Sequence, residues 1–190
     1  HGTPLKYMGY DIPGNPKHSQ NVIRNLLMTD YFLSPSPYTS RLFSNSYKLK
    51  DIYPGKIVET GYPRIDFTFK TNLNDNIKFL SNFGVKLTNN KPIALYMPTW
   101  KGTSIKDPIA DIEQIVAETT YLRKRIANEY QLLVKVHPYV YPYVKDRKEV
   151  NEYLIPDYLD PNQVLGWTDL LITDYSSVFF DYSITDKPMF

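Results

Sequence analysis

The chain has 190 residues, 42% hydrophobic and 22% charged, with 22 basic and 20 acidic side chains for a net charge of +2. That balance argues against nucleic acid as the main partner, and no stretch approaches the run of about 20 apolar residues that spans a bilayer. With no cysteine in the sequence, disulfides, thiol catalysis and cysteine-ligated metals are excluded together.

The chain opens on His1-Gly2-Thr3-Pro4, without an initiator Met, signal peptide or tag. A polar, helix-like stretch follows from Pro16 to Asp30, with His18 read as surface. Val22, Ile23, Leu26 and Leu27 form its apolar face, which is expected to pack on the chain's own core before it touches a membrane. Tyr31-Phe32-Leu33 reads as a strand, followed by Ser34-Pro35-Ser36, with Ser36 placed to cap a helix starting at Pro37. Lys56-Ile57-Val58 is a second strand, ending in Gly61-Tyr62-Pro63-Arg64. A helix from about Leu73 to Phe83 closes on Gly84.

The polar, aperiodic stretch Lys86 to Lys91 is where the domain boundary is expected, dividing residues 1–88 from 91–190. Beyond it come a strand over Ile93–Met97 and the clearest helix, capped at Asp107-Pro108 and patterned by Ile109, Ile112, Val116, Leu122 and Ile126. Strands over Leu132–Val136 and Leu170–Thr173 follow, with a weaker one at Glu152–Ile155. The end at Lys187-Pro188-Met189-Phe190 reads as the entry to another strand, and both ends read as cuts in a longer protein. Short β-branched runs alternating with helical periods predict an α/β fold.

In an open parallel sheet, ligands bind outside the carboxyl ends of the strands. Here five such ends carry Ser34-Pro35-Ser36, Gly61 to Arg64, Pro98-Thr99-Trp100-Lys101, His137-Pro138 and Asp174-Tyr175-Ser176-Ser177. The last reads as a strand-to-helix turn whose serines offer hydroxyls and unsatisfied N–H groups to an anion; one serine is equally an ordinary cap. Asp181, four residues after Ser177 and on the same face, could accept from diol hydroxyls or be a plain solvated acid. Lys135 and His137 lie two apart, so on a strand they share a face and converge on one spot; a purely structural strand-end His stays open beside that reading. The three histidines have no paired spacing, and Asp174 with Asp181 is too sparse for a metal. No Gly-x-Ser-x-Gly elbow is present.

Taken in order, His1-Gly2-Thr3-Pro4-Leu5-Lys6-x-Met8-Gly9, Gly61-Tyr62-Pro63-Arg64-x-Asp66, Pro98-Thr99-Trp100-Lys101, Lys135-x-His137-Pro138 and Ile172 through Tyr182 form a specific set. The set resembles the CDP-glycerol:poly(glycerophosphate) glycerophosphotransferases of teichoic acid and capsule synthesis. The resemblance implies a GT-B-like fold of two Rossmann-like domains with the site in the cleft, the first incomplete here, and the donor held mainly by residues 91–190. It makes His1 the general base and His137 the residue that stabilises phosphate or acts as acid. It places Thr3, Pro4, Arg64, Thr99, Trp100, Lys101, Lys135, Asp174, Ser176, Ser177 and Asp181 on the substrate, with no metal and no cofactor. Lys101 departs from the family's usual Arg, which changes the kind of cation offered.

The implied reaction takes glycerol phosphate from CDP-glycerol to a lipid-linked polyol-phosphate acceptor and releases CMP, at the cytoplasmic face of the membrane, where the full-length protein would be peripheral. CDP-ribitol is the nearest alternative donor. A UDP-sugar glycosyltransferase or epimerase shares the fold, but its Glu-rich nucleotide motif is not seen in this sequence. A non-catalytic nucleotide-binding domain is the third reading, against which stands the presence of both His1 and His137.

Overall fold

Four-residue strands rich in Leu, Ile and Val, separated by helices, are the raw material of parallel pairing, because each crossover helix returns the chain to the same sheet edge. The computed structural model describes residues 2–14, 16–88, 91–101 and 109–190. The chain divides between Asp66 and Phe67 into two compact units.

In the first unit, β1 (Tyr31–Ser34) pairs in parallel with β2 (Lys56–Glu59). Helices α1 (Pro16–Leu27) and α2 (Pro37–Ser46) cover them. Ser36 caps α2, its side chain accepting from the Thr39 N–H at 3.3 Å, with Pro37 at the first helical position. The apolar face of α1, with Val22, Ile23, Leu26 and Leu27, packs on a core of Met8, Phe43, Tyr47 and Leu49. The amphipathic pattern is therefore satisfied within the unit. Gly9 sits at φ +56°, and a Cβ there would lie 2.3 Å from the Ser46 carbonyl oxygen, so the entry to α1 needs a residue without a side chain. Helix α3 (Pro63–Lys70) follows β2.

The second unit is built on a three-stranded parallel sheet of order β4-β3-β5, with β3 at Ile93–Tyr96, β4 at Gln131–Val134 and β5 at Leu170–Ile172. Every residue of β3 and β4 is buried, as expected where both faces are covered. The faces alternate: Ile93, Leu95, Leu133 and Leu171 join one core with Val164, Leu165, Val178 and Tyr182. Tyr96, Leu132 and Val134 join the other with Ile112, Ile115 and Val116 of α5 (Ile109–Ile126). The first of these cores is backed by α4 (Asn74–Asn82), α7 (Pro161–Gly166) and α8 (Val178–Ser183); the short α6 (Tyr141–Val144) lies on the second.

Segment 152–155 is not the strand expected. Asn151–Tyr153 forms a 3-10 turn, and only Leu154 bridges Val134, with the Ile155 N–H donating to the Val134 carbonyl at 2.8 Å. Pro156 then cannot continue a ladder. On the opposite edge Met189 bridges Leu171, so the chain end pairs with β5 as its sequence suggested. The cap expected at Asp107-Pro108 and the side chain of His18 lie outside the described residues.

Helix α4 and the 80–88 segment pack with the second unit. Leu80 and Val85 are buried beside Ile93 and Leu95. The Thr88 N–H and hydroxyl both donate to the Gln131 Oε1, at 2.6 and 2.9 Å. The polar stretch that reads as a linker in the sequence is pinned by these bonds through its backbone, which polarity of the side chains does not reveal.

Gly166 ends α7 where a Cβ would stand 2.3 Å from the Thr68 carbonyl oxygen and 2.2 Å from the Thr71 hydroxyl. Replacing it by alanine forces two backbones apart. We expect Gly166→Ala to lower stability by about 1–3 kcal/mol, measured as a fall in the urea midpoint at unchanged slope; an unchanged midpoint would show that α7 can slide without cost.

Candidate functional site

Parallel order puts the carboxyl ends of β3, β4 and β5 on one rim of the second unit, and the polar motifs follow directly. Asp174, just past β5, ties the rim together. Its Oδ1 accepts from the Thr99 N–H at 2.9 Å and from the Thr99 hydroxyl, while Oδ2 faces the Lys101 ammonium at 3.8 Å. The Thr173 hydroxyl donates to the Met97 carbonyl at 2.6 Å. Thr99, Lys101 and Asp174, expected on the substrate, thus hold one another, and the loop after β3 is fixed to the loop after β5.

Trp100 lies between them and His137. The indole and imidazole stack with centroids 5.5 Å apart at 25°, and Tyr139 packs on both rings, at 5.3 Å and 4.7 Å. The Tyr139 N–H donates to His137 Nδ1 at 3.2 Å. A ring nitrogen that accepts cannot carry the proton, so the neutral ring is protonated at Nε2, which is left as a donor. Loss of water against the neighbouring rings pushes the His137 pKa below its ordinary value. Both effects favour neutral imidazole. Tyr139 was not picked out by the sequence reading, although its place two residues beyond a strand-end His was the available signal.

Lys135 does not converge with His137. It is only 3% exposed, and its ammonium donates to the carbonyls of Pro156 at 3.2 Å and Asp157 at 3.4 Å. Burial pushes its pKa down to about 8, with Asp157 and Asp160 pulling the other way. The expected convergence required continued strand geometry, but β4 stops at Val134 and the two side chains diverge beyond it. Lys135 is a clamp on the 156–157 turn.

Ser176 and Ser177 open α8. The Ser176 N–H donates to the Asp174 carbonyl at 2.7 Å, and its hydroxyl accepts from the Val178 N–H at 3.4 Å. Ser177 occupies the N-cap without a side-chain cap bond. Val178 and Tyr182 are buried beneath, the Tyr182 hydroxyl donating to the Thr168 carbonyl at 3.1 Å, so the turn is anchored from below. Asp181 lies in the first turn of α8.

The remaining expected residues belong to the first unit. Arg64, at the start of α3, lies over the Tyr62 ring at 3.9 Å, a cation–π contact that orients its guanidinium. Pro4 lines a cavity of about 530 Å³ together with Lys6, Asp11, Tyr38 and Ser46; Thr3 precedes it in the chain. His1 lies outside the described residues. Among the described residues, no group of three His, Asp or Glu side chains could hold a metal ion.

A model of the family "CDP-Glycerol:Poly(glycerophosphate) glycerophosphotransferase" matches residues 1–190. The chain is similar to the teichoic acid poly(glycerol phosphate) polymerase of Bacillus spizizenii, 32% identical over 100% of this chain and 49% of the relative. It is also similar to the teichoic acid glycerol-phosphate transferase of Staphylococcus aureus, 29% identical over 99% of this chain and 49% of that one. Among solved structures, the wall teichoic acid polymerase TagF superposes with a TM-score of 0.72 at 28% identity, over 100% of this chain and 47% of that one. The chain therefore spans about half the length of these relatives. The α/β class with parallel sheets, GT-B-like as expected, agrees with this match. The five motifs, the rim that three of them form and the match along the whole sequence lead to one assignment: this chain belongs to the CDP-glycerol:poly(glycerophosphate) glycerophosphotransferase family.

Proposed function

We propose that the protein containing this chain transfers glycerol phosphate from CDP-glycerol to the terminal hydroxyl of a lipid-linked polyol-phosphate acceptor, releasing CMP, in teichoic acid or capsule synthesis. The observation that carries the reading is the rim of the second unit. There a neutral His137 offers Nε2–H after β4, and the Ser176-Ser177 turn opens α8 after β5, in a chain whose relatives are named for glycerol phosphate. Glycerol is preferred to ribitol on those names.

In the proposed reaction the acceptor oxygen attacks the phosphorus that bears glycerol, the bond from that phosphorus to the CMP oxygen breaks, and the acceptor proton passes to His1 as general base. His137 donates from Nε2 to a phosphoryl oxygen, stabilising charge as it develops. Ser176, Ser177 and the N-terminus of α8 address the diphosphate, and Asp181 addresses a diol. Arg64 offers two N–H groups to phosphate, where lysine would offer a point charge. Thr99, Trp100, Lys101 and Asp174 shape the pocket floor. No helix among the described residues is long and apolar enough to cross a membrane. We place the full-length protein at the cytoplasmic face as a peripheral protein, because its acceptor is lipid-linked.

Two measurements test this reading. In the full-length protein, Ser176→Ala combined with Ser177→Ala should weaken CDP-glycerol binding about tenfold or more and leave cytidine binding within about twofold, since these groups face phosphate. Equal losses in calorimetry would move the serines off the diphosphate. For His137, the folded pKa lies below the unfolded value of about 6.5, so the unfolded chain binds the proton first as pH falls. The associated stability is complete above that value and is lost as pH drops through the window beneath it. A ¹⁵N-detected titration should give a midpoint below about 6.5, with the proton of the neutral form on Nε2. A midpoint above that value, or a proton on Nδ1, would remove His137 as a neutral donor.

A further inference from the structure

His137 follows β4, but much of what holds its ring comes from the ends of β3 and β5. Its backbone is fixed locally, the carbonyl accepting from the Val140 N–H at 2.8 Å and the Tyr141 N–H at 3.1 Å. The side-chain torsions are then the remaining freedom, and the residue is otherwise exposed. The Tyr139 N–H reaches Nδ1 at 3.2 Å, the long end of the ordinary range. A ring free to turn would lose that bond to water.

Trp100 supplies the second restraint. Its indole lies along the imidazole, 25° from coplanar with centroids 5.5 Å apart, and Tyr139 braces the indole edge-on at 78°. The indole N–H is buried and has no hydrogen-bond partner among the described residues. The indole therefore sits here by its faces. Its own place is set from β5. The Thr99 N–H and hydroxyl both donate to Asp174 Oδ1, and the Thr173 hydroxyl donates to the Met97 carbonyl at 2.6 Å. A series of contacts thus runs from Asp174 through Thr99 and Trp100 to His137, across three strands.

We propose that Trp100 and Asp174 are positioning residues for His137: Asp174 sets the loop, and the indole holds the imidazole in the plane and tautomer that present Nε2–H. The effect on transfer rests on the donor reading given above, whereas the state of the ring is measured without a donor. Charge is not the route. Of the titratable groups on the loops that meet here, Lys101 and Asp174 face each other at 3.8 Å, and the Lys135 ammonium turns to the Pro156 and Asp157 carbonyls. Tyr139 offers its ring, and burial pushes the Tyr141 hydroxyl up, keeping it neutral. Loss of water is what depresses His137.

The test uses the full-length protein labelled with ¹⁵N-histidine, His137 being assigned through the signals lost in His137→Gln. Trp100→Ala should raise the His137 midpoint toward about 6.5, the value of a hydrated imidazole, and put part of the neutral-form proton on Nδ1. Trp100→Phe keeps a flat face and should hold the parent's midpoint. Asp174→Ala leaves all three rings in place and, by releasing Thr99, should also raise the midpoint. Loss of a carboxylate acting through space would lower it instead, so the sign separates the two routes. With CDP-glycerol and acceptor, Trp100→Ala should reduce kcat roughly 10- to 100-fold, the scale for a misplaced group, with the donor KM within about threefold.

An unchanged midpoint and tautomer in Trp100→Ala, or a raised donor KM at unchanged kcat, overturns the role given to Trp100. If thermal melting shows that variant unfolded, Trp100→Leu takes its place. Leucine fills the space without a flat face, and a tautomer unchanged from the parent's again overturns that role. An unchanged or lowered midpoint in Asp174→Ala overturns the role given to Asp174. If the ring responds as expected but the parent releases no CMP from CDP-glycerol, the donor reading fails and the positioning of His137 stands.

Discussion

Parallel pairing of β3 with both β4 and β5 is the constraint from which the site follows. Parallel strands put their carboxyl ends on one edge, and each end must be followed by a loop that cannot hydrogen-bond within the ladder. Three sequence-distant motifs, at residues 98–101, 137–139 and 173–177, meet at that edge because β3, β4 and β5 share one direction. Both sheet faces are filled, one by Leu95, Leu133 and Leu171 and the other by Tyr96, Leu132 and Val134. A one-residue slip would exchange the two sets, so the register that builds the core also sets the height of each loop on the rim.

Much of the polar chemistry at this edge holds the edge together. Asp174 takes the Thr99 N–H and hydroxyl and faces Lys101, Lys135 grips the 156–157 turn, and the Tyr139 N–H fixes the His137 ring. Groups that could bind a ligand only after reorganising are costly to a reaction; groups already held in place are not.

The sequence made strands β1 to β5 and helices α1, α4 and α5 legible through period and composition. Pro37 behind Ser36, and Gly84 behind α4, marked helix ends to the residue because their backbone chemistry is local. Residues 152–155 misled because Tyr, Leu and Ile favour strands, while Pro156 and the 3-10 turn at Asn151 depend on how the segment meets β4. The rim motifs were legible as a group, yet the partners of Lys135 were not. Whether a lysine faces a ligand or a carbonyl is decided by where a strand stops, and β4 stops one residue before it.

The buried ammonium of Lys135 has a thermodynamic consequence of its own. Its folded pKa near 8 lies below the value of about 10.4 expected for an unfolded lysine. Between these values the unfolded chain keeps a proton that the folded chain has given up, so folding in mildly alkaline buffer releases a proton to solvent. The unfolded state then binds more protons, and the contribution of this one residue to stability rises with pH across that window. Near neutrality the same residue is charged in a poorly hydrated place and works against the fold that it helps to shape. A buffer with a high heat of ionisation would therefore report the folding of this unit calorimetrically, through the proton that Lys135 gives away.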